Sequence, residues 1–130
     1  MPQLVTHQLR VGGIGKVIAE NWKGVTDAKF VSNLCLLHDM GNIVKFDLVN
    51  TNENKFGKIE NIESWQKIQA KYWNKYGRDA HDTTKGILQD AGLSQFVTYI
   101  DEEVALYFAE VKEVELERAS VPAVILMYAD

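Results

Sequence analysis

Apolar residues recur every three or four positions along most of this chain, a spacing that is typical of amphipathic α-helices. The first such segment covers about residues 2–22, and Pro2 suits the first turn of a helix. Its predicted buried face comprises Leu4, His7, Val11, Ile14, Ile18 and Trp22. Glycines weaken the segment by roughly 1 kcal/mol each. We interpret them as points of close contact with another helix: Gly12, Gly13 and Gly15.

The same spacing predicts further helices over about residues 28–41, 62–76, 80–90, 102–118 and 121–130. Capping residues precede three of these segments: Thr26 or Asp27, Asp79, and Ser120. Another start at Ser94 is interrupted near Ile100 and Asp101. The polar segment 50–58 predicts a loop, and the alternation over 45–49 is the one strand-like pattern. The expected fold is therefore all-α, a single compact multi-helix bundle that forms one domain over residues 1–130.

Composition and charge argue against several classes of function. The chain has 130 residues, of which 46% are apolar and 25% are charged, as in an ordinary globular domain. A formal net charge of −4 gives no electrostatic case for binding nucleic acid or an anionic membrane. The single cysteine, Cys35, excludes an internal disulfide, and its apolar neighbours predict burial. Neither a signal peptide nor an apolar run long enough to span a bilayer is present, so we expect a cytoplasmic protein.

Candidate chemistry lies where an apolar run meets an ionisable pair, His38 and Asp39. Such a pair is costly beside apolar residues unless it is paired or bound to a metal. Adjacent residues on a helix point about 100° apart, so the two side chains can reach one ion only where a helix ends. Gly41 makes such an end plausible. Imidazole nitrogen and carboxylate oxygen are suitable ligands for Zn, Mn, Fe, Co or Ni.

Three segments in order resemble the HD superfamily of metal-dependent phosphohydrolases. Residues 36–42, Leu-Leu-His-Asp-Met-Gly-Asn, resemble its signature, whose commonest form is Leu-Leu-His-Asp-Ile-Gly-Lys. Residues 7–11, His-Gln-Leu-Arg-Val, resemble its upstream helix, and residues 125–130, Ile-Leu-Met-Tyr-Ala-Asp, its downstream helix. The gaps between His7 and His38 and between Asp39 and Asp130 are 31 and 91 residues. The resemblance therefore covers essentially the whole chain.

The resemblance implies an HD-domain-like helical bundle with a divalent ion (Mn, Fe, Co, Ni, Zn or Mg) held by His7, His38, Asp39 and Asp130. His38 and Asp39 would be catalytic, because the ion would hold a phosphate oxygen and activate water as the nucleophile. The implied function is hydrolysis of a nucleotide or other small phosphoester. Two alternatives stay open: a catalytically inactive HD-type regulatory or ligand-sensing module, and a plain helical interaction domain. A homodimer is also compatible with the sequence.

Four further residues are candidates for contact with the substrate: Arg10, Asn42, Lys45 and His81. Asn42 stands where the family often has Lys or Glu and cannot act as an acid or base, so Lys45 is a candidate for the missing positive charge. Arg10 could grip phosphate or pair with a surface carboxylate. His81 is either a substrate contact or an exposed residue at a helix start. The final helix of the family normally continues beyond its aspartate, so we expect a truncated helix at Asp130.

Two clusters have simpler interpretations. The aromatic residues of the third helix could form a stacking platform for bases, but core packing is the preferred role: Trp65, Tyr72, Trp73 and Tyr76. The acidic stretch over residues 110–118 predicts a solvated helix face.

Overall fold

The structure is a computed structural model that describes residues 2–25, 27–49, 59–110 and 112–130. Within these ranges it contains seven α-helices and no strand. The helices are α1 (Pro2–Asn21), α2 (Ala28–Leu37), α3 (Ile62–Tyr76), α4 (Ala80–Asp90), α5 (Val97–Phe108), α6 (Lys112–Arg118) and α7 (Val121–Ala129). Short 3-10 helices cover Asn42–Lys45 and Ser94–Phe96. The predicted all-α bundle is confirmed, whereas Thr26 and the predicted loop 50–58 lie outside the described residues.

Side-chain caps explain why three helices begin where the sequence predicts. Asp27 accepts a hydrogen bond from the backbone N–H of Phe30 at 2.8 Å. Asp79 accepts one from the N–H of Asp82, also at 2.8 Å. The Ser120 hydroxyl accepts a longer one from the N–H of residue 123 at 3.4 Å. Each cap satisfies a backbone donor that the first helical turn leaves unpaired.

Two predicted helix bounds are wrong. The second helix ends at Leu37 rather than at residue 41, and residues 38–41 form turns that lead into the 3-10 helix. The predicted interruption near Ile100 and Asp101 does not occur, because Ile100 is buried within a continuous α5. The chain instead leaves the helix at Ala109, where the backbone becomes extended (φ −64°, ψ 132°).

Helix α1 packs most extensively against α2, and α7 contacts both. A methyl group at Gly12 would lie 3.3 Å from Leu36 Cβ, and one at Gly15 would overlap Cys35 Sγ. The predicted close packing is therefore confirmed at these two glycines, whereas Gly13 has open space around it. Cys35 is fully buried in this interface, as predicted.

The buried face of α1 differs from the prediction. Ile14 and Trp22 are each 40% exposed, although the periodicity placed them in the core. Val11 is buried as predicted, whereas Ala19 is buried although it was not part of the predicted face, and Gly15 lies between them on the same side of the helix. The buried stripe of α1 is rotated relative to the predicted one, because α2 packs against the small residues of α1. These small residues allow the two helix backbones to come close.

Helix α3 supports the segment that follows the His-Asp pair. The buried side chain of Gln69 donates hydrogen bonds to the carbonyls of Ile43 at 2.7 Å and Phe46 at 2.8 Å. Trp73 Nε1 donates to the carbonyl of Val44 at 3.1 Å. The aromatic rings of α3 thus pack around the 3-10 helix Asn42–Lys45, as the predicted core-packing role requires. These rings belong to Trp65, Tyr72 and Trp73. Among the described helices, none has the length and apolar character needed to cross a membrane.

Candidate metal centre

The ends of three helices bring the four predicted ligands together. His7 lies in the second turn of α1, His38 caps the C-terminus of α2, Asp39 follows it in the turn, and Asp130 caps the C-terminus of α7. One ligand atom from each residue lies within 4.8 Å of all the others. Because His38 is at a helix end rather than inside a helix, it and Asp39 can face the same point.

The distances within this cluster fit a common ion. His7 Nε2 lies 3.0 Å from Asp130 Oδ1 and 3.3 Å from Asp39 Oδ2. His38 Nε2 lies 3.2 Å and 3.5 Å from the same two oxygen atoms. Ligands about 2.0–2.2 Å from one transition-metal ion are separated by roughly 3.0–3.5 Å at tetrahedral or octahedral angles. The same distances also suit hydrogen bonds, so the position of the imidazole proton decides what the cluster can hold.

The proton of neutral His38 is fixed by a backbone contact. Its Nδ1 lies 2.7 Å from the carbonyl oxygen of Cys35, which can only accept a hydrogen bond. Nδ1 therefore carries a hydrogen, and Nε2 of the neutral ring presents a lone pair to Asp39 and Asp130. A lone pair facing two carboxylates is repulsive, so this position requires either a second proton or a metal cation. An imidazole oriented by a backbone acceptor is the usual arrangement of a metal ligand.

Electrostatics of the cluster agree with this requirement for positive charge. Burial lowers the pKa of His38, but the hydrogen bond to Asp130 and the charge of Asp39 outweigh burial, so the pKa is raised. The hydrogen bond from His38 is the main cause that holds the pKa of Asp130 below its usual range. Asp130 is therefore ionised near neutral pH and available as a ligand.

A cleft of about 260 Å³ opens beside the cluster. Its lining includes three of the predicted ligands, His38, Asp39 and Asp130, and two of the predicted substrate contacts, Lys45 and His81. The other lining residues come from α5: Glu103, Val104, Tyr107 and Phe108. The cleft thus joins the candidate metal position to a second, largely apolar wall.

Two of the predicted substrate contacts lie outside this lining. Arg10 is exposed and borders a separate surface hollow on α1 together with Gln3, Thr6 and His7. Asn42 is half-buried at the start of the 3-10 helix, and its backbone N–H donates to the carbonyl of Asp39 at 3.1 Å. Asn42 therefore stabilises the turn that carries Asp39.

Glu103 is the functional candidate that the sequence analysis missed. Its side chain is only 7% exposed, and burial raises the pKa of its carboxyl group. It lies on the buried stripe of α5 between Ile100 and Leu106, where a charged residue is unusual. The three-residue spacing of Ile100, Glu103 and Leu106 could have indicated that Glu103 lies on a buried helix face. The helix break predicted near Ile100 obscured that pattern.

Comparisons with known proteins add no assignment: no family model, no curated protein and no solved structure matches the chain. The resemblance to the HD superfamily therefore stays a prediction.

Proposed function

We propose that this protein is a divalent-metal-dependent phosphohydrolase that acts on a nucleotide or another small phosphoester. The observation that supports the proposal most directly is the position of His38, whose Nδ1 contacts the Cys35 carbonyl while its Nε2 faces the carboxylates of Asp39 and Asp130 beside an open cleft. His7 completes the cluster.

The ligand set favours a transition metal. Two imidazoles and two carboxylates suit Mn, Fe, Co, Ni or Zn, whereas Mg is usually held by oxygen ligands alone. A divalent ion in this position would polarise a phosphoryl oxygen and lower the pKa of water so that it becomes the nucleophile. The catalytic contribution of His38 and Asp39 would be to hold that ion beside the cleft.

The charge of the cleft explains why a phosphoester would need the ion. Asp39, Glu103 and Asp130 contribute carboxyl groups to the lining, and Lys45 contributes an ammonium group. Without additional positive charge this lining would repel a phosphate. With a divalent ion bound, Lys45 could neutralise a second phosphate oxygen, and the imidazole of His81 could donate a hydrogen bond.

Metal analysis and hydrolysis test the proposal together. The parent protein is compared with Asp39→Asn, which removes a ligand charge with little change in shape, and with Asp101→Asn as a matched surface control. Asp101 is exposed and pairs with Lys85 away from the cluster. We expect near-stoichiometric metal and metal-dependent release of phosphate, or of nitrophenol from nitrophenyl phosphoesters, in the parent and the control. Asp39→Asn should lose both. Equal activity in all three proteins would contradict the site assignment.

A second candidate is a catalytically inactive HD-type module for regulation or ligand sensing. Asn42 favours it, because an amide cannot transfer a proton and its backbone already serves the Asp39 turn. A protein that binds metal stoichiometrically but hydrolyses no phosphoester would support this second candidate over the first. A protein that binds no metal would leave only a helical interaction domain.

A further inference from the structure

One side of α5 forms a wall of the cleft, which we call the α5 wall: Glu103, Val104, Tyr107 and Phe108. Residues four apart on a helix lie on the same side, about one turn or 5.4 Å from each other along the axis. Glu103 is buried, whereas Tyr107 and Phe108 are 64% and 72% exposed. The wall therefore combines a buried carboxyl group with two exposed aromatic rings, one helical turn apart.

The two rings of the α5 wall are arranged as a corner. The ring centroids of Tyr107 and Phe108 lie 5.2 Å apart, and the ring planes meet at 74°. Two parallel rings form a slot for a flat group, whereas two rings at a steep angle accept a rounded group between them. The face of an aromatic ring carries negative potential and attracts a cation that lies within about 6 Å of the ring centroid. Alkylammonium groups, and quaternary ones above all, are rounded cations that such rings recognise.

The charges that line the cleft also favour a cation at this wall. The lining contains three carboxyl groups and one ammonium group, those of Asp39, Glu103 and Asp130 and that of Lys45. A metal ion would balance Asp39 and Asp130, and Lys45 would face the phosphate, so the carboxyl group of Glu103 is left for another cation. Burial raises the pKa of this carboxyl group because it disfavours the charged form. A cation bound beside it would restore the carboxylate.

We propose that the α5 wall binds an alkylammonium group, and that the substrate is the phosphate monoester of an alcohol that carries such a group. The inference rests on the proposed hydrolase function for the phosphate end of the substrate and goes beyond it by naming a cationic leaving group. The phosphate would lie at the metal cluster, and the ammonium group would lie between the carboxylate of Glu103 and the rings of Tyr107 and Phe108. A cleft of about 260 Å³ is slightly smaller than the usual pocket for a drug-sized ligand, as a small zwitterion requires.

The reaction on such a substrate is a hydrolysis. The oxygen of water forms a new bond to phosphorus while the bond from phosphorus to the ester oxygen breaks. One proton of the water is transferred to the departing ester oxygen, so the products are the free ammonium alcohol and inorganic phosphate. The ammonium group keeps its charge throughout, so its contacts with the α5 wall would hold the leaving group in place during the reaction.

An NMR titration with two ligands of the same shape tests the α5 wall without any hydrolysis. Choline and 3,3-dimethylbutanol differ only in that a quaternary nitrogen of the first is a neutral carbon in the second. In protein incubated with Zn²⁺, which is diamagnetic, we expect choline to bind on the order of 10-fold more tightly. Tyr107→Leu/Phe108→Leu keeps apolar surface but removes the rings, and Glu103→Gln removes the charge with little change in shape. Each should reduce the preference for choline. Tyr128→Leu is the matched control and should keep it, because Tyr128 is 63% exposed but does not line the cleft.

Phosphate release from the two corresponding monoesters, choline phosphate and 3,3-dimethylbutyl phosphate, separates the alkylammonium subsite from the hydrolase. We expect kcat/KM to be on the order of 10-fold higher for choline phosphate in the parent and in Tyr128→Leu. Equal affinity for the two alcohols, no binding of either, or a preference that survives the leucine substitutions would overturn the subsite. A choline preference that depends on the two rings, without release of phosphate, would support the subsite and refute the hydrolase. Hydrolysis of both esters with the same kcat/KM would support the hydrolase and refute the subsite. Circular dichroism checks that each variant is folded.

Discussion

Replacing Gly41 by alanine should disturb the candidate metal cluster without changing any of its four predicted ligands. Gly41 follows Asp39 by two residues and lies against the first turn of α4. A methyl group at Gly41 would overlap the carbonyl oxygen of Ala80 and lie 2.5 Å from the backbone nitrogen of Thr84. The φ of Gly41 is −83°, which any residue can adopt, so the requirement for glycine is the close approach of α4 and not the backbone conformation.

The expected loss of stability follows from the atoms that the methyl group at position 41 would contact. They belong to the backbone of α4 and cannot rotate away, so the overpacking should destabilise the fold by about 1–3 kcal/mol. Separation of the two segments would also weaken the hydrogen bond from the Gly41 N–H to Thr84 Oγ1, 2.8 Å long, which is worth about 1 kcal/mol. The reduced entropy of the unfolded chain offsets only about 0.4–1 kcal/mol. We expect a net loss of roughly 1–3 kcal/mol, with weaker metal binding because Asp39 is displaced.

Urea unfolding and metal titration measure the two effects on the same protein. Gly13→Ala is the matched control, because nothing lies within 4 Å of a methyl group at that helical position. The control should gain about 0.5–1 kcal/mol of stability and keep the metal affinity of the parent. If Gly41→Ala were as stable as the parent and bound metal equally well, the argument that α4 fixes the His-Asp turn would be refuted.

Three further predictions concern ionisable groups. Glu103→Leu should stabilise the protein by about 1–3 kcal/mol in urea unfolding, because it removes a carboxyl group whose pKa is raised by burial, and unchanged or lower stability would contradict this. Burial, with a smaller contribution from the charge of Asp130, raises the pKa of Cys35 to about 12. Iodoacetamide should therefore label the Cys35 thiol slowly unless urea unfolds the protein. Rapid labelling of the folded protein would be inconsistent with that burial. The pKa of Asp130 lies below its ordinary value near 3.8, so in metal-free protein its stabilisation is complete above about pH 4 and is lost as the pH falls through the lowered pKa. Asp130→Asn should therefore flatten the decline in stability below about pH 4, and an unchanged decline would exclude this group as its source.

The sequence predicts helix positions well where local chemistry decides them. Asp27, Asp79 and Ser120 cap the helices that they were expected to cap, because an N-cap involves only residues within one turn of each other. The bounds of α3 and α4 agree with the prediction for the same local reason. The break between α5 and α6 was misplaced because the continuity of α5 depends on tertiary burial of Ile100 and Leu106.

The site was predictable to a similar, limited extent. The resemblance to the HD superfamily implied a set of four residues that the folded chain does bring together: His7, His38, Asp39 and Asp130. The hydrogen bond from His38 to the Cys35 carbonyl could not be predicted, because it depends on how α2 ends. Glu103 was missed because the helix break predicted near Ile100 hid its place on the buried stripe of α5, and its position beside the cluster depends on the packing of α5 against α7.

Metal analysis of the purified protein beside His38→Ala/Asp39→Ala tests the central claim most directly. The account predicts near-stoichiometric transition metal in the parent and none in the double variant, with both proteins folded by circular dichroism. Absence of metal from the parent, even after incubation with Mn, Fe, Ni or Zn, would contradict the claim, as would equal metal content in the two proteins.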